Sequence, residues 1–215
     1  MRRLTFALLA AVLPAVSAAA HPHMSLDSRM TFELEGRACR AIELEWTFDP
    51  LFSGTIIGQY DADRDGSFDA AENERIRAGA FSNLRNYGYF IFLRKGEKRS
   101  NPSAVESFQA SQRAGRLVYR FRVPLEGAGY EGDFSVAVFD SSFYCAVRYT
   151  AEPATAVSAS GGPPSPTPRL AAAKNEKYPV YYNPAGAADD FRVYETWRKG
   201  LSTAYPEEIS VSFPR

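Results

Sequence analysis

The sequence predicts an α+β protein, an antiparallel β-sandwich or open sheet into which an EF-hand-like helix–loop–helix is inserted. Three observations carry this expectation. Short runs of alternating apolar and polar residues recur about every ten positions, separated by Gly, Pro or Asp-Ser turns. Residues 49–85 instead carry apolar side chains at helical spacing. Between the two halves of that stretch lies Asp61-Ala-Asp-Arg-Asp-Gly-Ser-Phe-Asp-Ala-Ala-Glu72, which has the residue pattern of a calcium loop.

The chain opens with Arg2 and Arg3, runs apolar from Leu4 to Val16, and reaches Ser17-Ala-Ala-Ala20 before His21. A positive start, a short apolar run and an Ala-x-Ala end are the marks of a secretory signal peptide over residues 1–20. The run is too short to span a bilayer, and no other segment is apolar enough to be transmembrane. A periplasmic mature protein starting at His21 is therefore expected, with a β-rich metal-binding domain over 21–150.

Residues 24–35 alternate, with Met30, Phe32 and Leu34 opposite Arg29, Glu33 and Glu35, and 41–48 alternate again after the Gly36-Arg37 turn. An antiparallel hairpin is the economical arrangement. Asp49 and Pro50 suit the N-cap and first turn of a helix reaching Tyr60, and Ala70 to Leu84 supplies a second helix. Gly88 breaks the pattern. Five further strands follow, at 89–93, 103–109, 117–123, 134–139 and 143–149. The third of these sets Leu117, Tyr119, Phe121 and Val123 against Arg120 and Arg122.

Residues 152–169 are rich in Ala, Ser, Pro and Gly, and a flexible linker over 151–170 is expected. Beyond it, 171–215 should form a C-terminal helix, capped by Asp189 and running to Ser202, and a last strand at 208–213 that returns to the sheet.

Within the calcium loop, Asp61, Asp63 and Asp65 fill positions one, three and five, and Ser67 offers its carbonyl at seven. Asp69 sits at nine, and Glu72 closes the loop at twelve. A hard cation takes six to eight oxygens at about 2.3–2.6 Å, so so short a loop must turn sharply, and Gly66 tolerates the positive φ this requires.

The whole chain holds two histidines, His21 and His23, both beside the expected new N-terminus. The α-amine and the two imidazoles form a borderline-soft nitrogen set suited to Ni²⁺, Co²⁺, Zn²⁺ or Cu²⁺. Completing a shell would need a carboxylate such as Asp27, Asp49 or Asp140. Export makes Cys39 and Cys145 candidates for a disulfide. Strand parity opposes it, since Cys39 falls in step with Glu43 and Glu45, and only a bulge near Arg40-Ala41 would bring it to the apolar face.

Several functions are excluded. The 25 basic and 25 acidic residues become 23 and 25 once Arg2 and Arg3 are removed, a formal charge of −2 that offers no basic patch for nucleic acid. With both histidines terminal there is no internal Ser-His-Asp or Cys-His arrangement, and no His-Glu-x-x-His or phosphate-cradling loop is present.

His21-Pro22-His23, Trp46-Thr-Phe-Asp49-x-x-Phe52-Ser53, Asp61-x-Asp63-x-Asp65-Gly66, Tyr87-x-Tyr89-Phe90 and Phe139-Asp140-x-x-Phe143-Tyr144 together resemble the bacterial periplasmic domain of unknown function 1007 family. Its members are labelled as the periplasmic component of an uncharacterised ABC-type transport system, and many are encoded near nickel, cobalt or zinc transporters. The resemblance spans roughly 21–149, with a weaker match at the final strand. It implies an exported accessory to an inner-membrane metal transporter and assigns no catalysis.

The expectation is thus a periplasmic, non-enzymatic divalent-metal-binding protein, with Ca²⁺ in the loop and a transition metal at His-Pro-His. The alternatives are a calcium-stabilised structural or adhesion module of the envelope, and a copper-dependent oxidative enzyme using the N-terminal histidine.

Overall fold

The computed structural model describes residues 24–125, 130–184, 186, 192, 194 and 196–214. The expected signal peptide, His21 and His23 lie outside these residues, as does Asp189.

The chain is α+β and mostly strand. Strands β1 (Met24–Glu35) and β2 (Ala38–Phe48) form the expected hairpin, with Met30 opposite Leu44 and Phe32 opposite Ile42. Helices α1 (Pro50–Tyr60) and α2 (Ala70–Gly79) follow. A 3-10 segment, Phe81–Phe90, then takes over where the sequence predicts a continuing α-helix to Leu84. Aromatic residues at 81, 87, 89 and 90 explain the change. Phe81, Tyr89 and Phe90 are all drawn into the core, and Gly88, Tyr89 and Phe90 adopt positive φ to achieve it.

Next come β3 (Ile91–Lys95), β4 (Lys98–Ser100), β5 (Glu106–Arg113), β6 (Arg116–Pro124), β7 (Phe134–Val138) and β8 (Cys145–Ser158). The last are β9 (Arg169–Lys174), β10 (Val180–Tyr182), β11 (Ser202–Ala204) and β12 (Glu207–Ser212). One five-stranded sheet has the order β5-β6-β2-β1-β8, the other β4-β3-β7-β12-β9, and β10 pairs with β11. Their inner faces share one core, in which the Phe32 ring meets Phe134 edge-on at 5.8 Å across the sheets. The returning C-terminal strand is present, with Ile209 and Val211 fully buried.

Three expectations are corrected. The first sheet is not wholly antiparallel, because β8 enters alongside β1 in parallel, Met24 facing Cys145. The chain reaches β8 from β7 in the other sheet, so it arrives at the free side of β1 running in the same direction. Second, the expected linker is partly strand. Beyond Tyr149 the register shifts and β8 continues, pairing Ala154 with Met30 and Ser158 with Leu34, and the Thr31 and Thr155 hydroxyls meet at 3.0 Å. Main-chain pairing needs no bulky side chain, and the small Ala154 and Ala156 still pack against the core. Third, the described part of the expected C-terminal helix is irregular chain with a turn at 199–200, and Ser202 begins β11. Tyr194 instead bridges to Tyr181.

The bulge that parity requires is there: Ala41 faces Glu33 while Cys39 faces Leu34, leaving Arg40 as the extra, exposed residue. Cys39 is buried as a result, yet no disulfide forms, and both thiols are free. Cys39 lies at the Leu34 end of β1 and Cys145 at the Met24 end, about 33 Å apart at the usual rise per strand residue. A bridge needs Cα atoms within about 7 Å. Burial pushes each thiol up to about 12.

Candidate metal centre

The loop 61–69 is held at both ends by the helices that flank it. Asp49 caps α1, its Oδ1 accepting from the Leu51 and Phe52 amides at 2.9 and 3.0 Å, while Oδ2 accepts from Ser25 N of β1 at 2.7 Å. Burial raises the Asp49 carboxyl, and these three N–H donors outweigh it, so its acidity is increased. Ser53, fully buried in α1, accepts from Leu117 N of β6 at 3.0 Å and donates to Phe48 O. On the far side, Asn73 of α2 accepts from Ala110 N of β5 at 2.6 Å, and Ile76 is fully buried. Both helices are therefore pinned to the first sheet, and the loop hangs between them at the edge near β5.

Inside the loop, one carboxylate oxygen from each of Asp61, Asp63 and Asp65 lies within 4.8 Å of the others. Asp61 is buried, and the other two are exposed. Gly66, at φ +84°, points its N–H back to Asp61 Oδ2 at 3.3 Å. Asp65 Oδ1 accepts from the Ser67 hydroxyl and amide at 2.7 and 2.8 Å, which holds its carboxyl below the usual range. The convergence of like charges is unfavourable unless something positive sits among them.

Asp69 and Glu72 stand apart from that trio. They form a reciprocal capping box at the start of α2: Asp69 Oδ1 accepts from Glu72 N at 2.7 Å and Glu72 Oε2 from Asp69 N at 3.2 Å. Glu72 also reaches across the loop, Oε1 accepting at 2.7 Å from Ala62 N, the amide that follows Asp61. Each Glu72 oxygen retains a second lone pair. Of the expected ligands, then, the structure gathers Asp61, Asp63 and Asp65, places Glu72 across from them, and gives Asp69 to helix capping.

Two residues that sequence reasoning missed complete the arrangement. Gln112 Nε2, on β5, donates to Asp61 Oδ2 at 2.7 Å and to the Ser67 carbonyl at 3.4 Å. It thus touches the residues at positions one and seven from outside the loop. Asn73 Nδ2 donates to the Phe68 and Asp69 carbonyls at 3.1 and 3.2 Å. Nothing local announces Gln112, which is 51 residues from Asp61 in the chain.

After these contacts one buried side-chain atom of the loop is left over. Asp61 Oδ1 has no hydrogen-bond partner among the described residues, although Asp61 is only 7% exposed. A buried carboxylate oxygen without a partner costs several times an ordinary hydrogen bond, and a cation is its natural complement.

The three carboxylates that could support a site at the N-terminus have distinct surroundings. Asp27 is committed to Arg148 at 3.1 Å, with Arg116 at 3.8 Å. Asp49 bonds Ser25, and buried Asp140 accepts from Cys145 N at 2.9 Å, Cys145 being the partner of Met24. Asp49 and Asp140 therefore flank the first residues of β1.

The family described as "Protein of unknown function (DUF1007)" matches residues 6–213, nearly the whole chain. A Spirochaeta aurantia protein, "Uncharacterized 15.5 kDa protein in trpE 3'region", is 34% identical over 91 residues. That match covers 41% of this chain and 64% of the relative, less than two thirds of its length. An "Uncharacterized protein" of Haemophilus influenzae is 24% identical over 159 residues, 72% of this chain and 75% of the relative.

Proposed function

We propose that this chain, which belongs to the DUF1007 family of proteins of unknown function, is an exported, non-enzymatic divalent-metal-binding protein whose loop 61–72 is an EF-hand-like Ca²⁺ site. The observation that carries the proposal is the unpartnered, buried Oδ1 of Asp61 beside the Asp63 and Asp65 carboxylates. The ligands would be the carboxylates of Asp61, Asp63 and Asp65, the Ser67 carbonyl and the Glu72 carboxylate. Asp69 contributes through a water or by capping α2. Hard oxygen donors in this number favour Ca²⁺ over softer ions.

A single loop, anchored by Ser53 and Asn73 to two strands of one sheet, favours a structural ion over a sensor. A sensor opens a groove between helices, and these helices are already bonded to β6 and β5. Isothermal titration of the chelator-treated protein with CaCl₂ should give one site, with Kd between about 10⁻⁶ and 10⁻³ M. Asp61→Ala and Glu72→Ala should abolish it. An absence of binding heat and of any calcium-dependent spectral change at about 10 mM would remove the proposal.

The transition-metal part of the function rests on His21 and His23, followed in the chain by residues that Asp49 and Asp140 flank. As a periplasmic accessory to a metal transporter, the protein would take Ni²⁺, Co²⁺, Zn²⁺ or Cu²⁺ there. Titration of the mature protein should show binding that vanishes in the His21→Ala/His23→Ala variant while Ca²⁺ binding persists. Unchanged transition-metal affinity in that variant would leave the calcium loop alone.

A further inference from the structure

We propose that a cleft on the outer face of the second sheet is a binding site for a small, ring-bearing organic anion. It is independent of the calcium loop. The cleft holds about 500 Å³, within the range of small-molecule sites. Its floor is Phe92 of β3 and Phe139, just beyond β7, stacked at 3.9 Å with their planes 9° apart. Tyr178, Tyr181 and Tyr194 supply the facing wall.

Beside the floor, on the same face of the sheet, lies an unbalanced charge cluster. Glu208 of β12, 4% exposed, is gripped by Arg94 at 2.6 Å and by Arg99 at 2.7 Å. The two guanidinium side chains are themselves only 12% and 14% exposed. Two guanidiniums on one carboxylate leave a net positive charge largely withdrawn from water, which is costly without a counter-ion. Tyr178 covers Arg94 at 4.0 Å and the Phe139 ring lies 5.8 Å from Arg99, but a ring's quadrupole carries no net charge. Glu208 has no capacity to spare, because Asn175 Nδ2 also donates to it at 3.2 Å.

Arg99 lines the cleft, and the cleft lining adds Lys98 and Lys177 against one further acid, Glu97. Four cations thus face two carboxylates. Anchoring the C-terminal segment does not account for this surplus. The Arg99 bond to the Tyr178 carbonyl, at 2.8 Å, fastens that segment without the two lysines and without an open cavity. An anionic group docked between Arg99, Lys98 and Lys177, with its ring against the tyrosines, would use both features. A sugar acid and an aromatic acid share this chemistry.

The test uses the full mature protein and follows ligand-observed NMR and intrinsic tyrosine fluorescence with benzoate, phenyl phosphate and glucuronate. Benzamide and glucose serve as neutral rings, and acetate and inorganic phosphate as anions without one. At least one anionic ring should bind with Kd below about 1 mM, and the controls about tenfold more weakly. The aromatic and sugar arms tell the two sources apart. Lys98→Ala/Lys177→Ala and Tyr181→Ala should each weaken binding about tenfold without changing the melting temperature, since neither touches Glu208. Failure of every anionic ring to bind at about 10 mM, equal binding of a control, or indifference to both variants would overturn the proposal.

Discussion

Asp61→Asn separates a calcium site from a solvated acidic turn, because the two predict opposite patterns. Asn is nearly isosteric with Asp and can still accept from Gln112 Nε2 and Gly66 N, so the loop should keep its shape. Without calcium, the wild-type loop holds Asp61 and Asp63 carboxylate oxygens within 4.8 Å. That separation corresponds to about 1 kcal/mol of repulsion in a water-like dielectric. Removing the Asp61 charge should therefore leave the chelator-treated protein as stable as wild type or slightly more so. With calcium the order reverses. At a hundredfold excess over Kd, binding to the native state alone adds about 2.7 kcal/mol, and for a chain of this length that raises the melting temperature by roughly 5–10 °C. The variant should lose nearly all of that increment. Differential scanning calorimetry in EDTA and in about 10 mM CaCl₂ reads both quantities. An increment that survives in Asp61→Asn, or wild-type protein that melts identically in the two buffers, would rule out a calcium site in the loop.

Gln112→Ala should weaken calcium binding by about tenfold, the worth of one hydrogen bond to a charged group, while Gln112→Glu, which brings a further carboxylate to the loop, should change affinity differently from Ala. Titration calorimetry on both variants checks this. Glu208→Gln should destabilise by about 3–5 kcal/mol in urea, since it strands Arg94 and Arg99. Burial raises the Glu208 carboxyl, but the two guanidiniums outweigh it and depress its pKa. Its stabilising contribution is therefore complete above the unfolded value of about 4.3 and is lost as pH falls through the lower folded value. The Gln variant should lack that part of the acid-side fall in urea titrations. Cys39 and Cys145, buried with thiols pushed up to about 12, should resist a thiol reagent at about pH 8 in native protein and react fully in denaturant. Rapid modification of either in the native state would contradict their burial.

Elements whose signal is local are legible along the chain. The alternation over 24–35 marks β1 because residues two apart share a face of the sheet, and Asp49-Pro50 marks the start of α1 because the Asp49 side chain reaches amides two and three residues on. The same short range makes the Asp61, Asp63, Asp65 spacing around Gly66 readable. Features that depend on distant partners emerge with the assembled fold. The poverty of 151–158 in bulky residues reads as a linker until β1 supplies a free edge to pair with. Cys39 reaches the core through the bulge at Arg40, yet the length of β1 keeps it from Cys145. Asp69 and Glu72 are divided between capping and the loop by contacts that the ligand spacing alone does not order. Gln112 and the Arg94–Glu208–Arg99 cluster were invisible because side chains 51, 114 and 109 residues apart meet only once both sheets are assembled. Backbone periodicity and capping act over a few residues, whereas charge pairing and burial act through space.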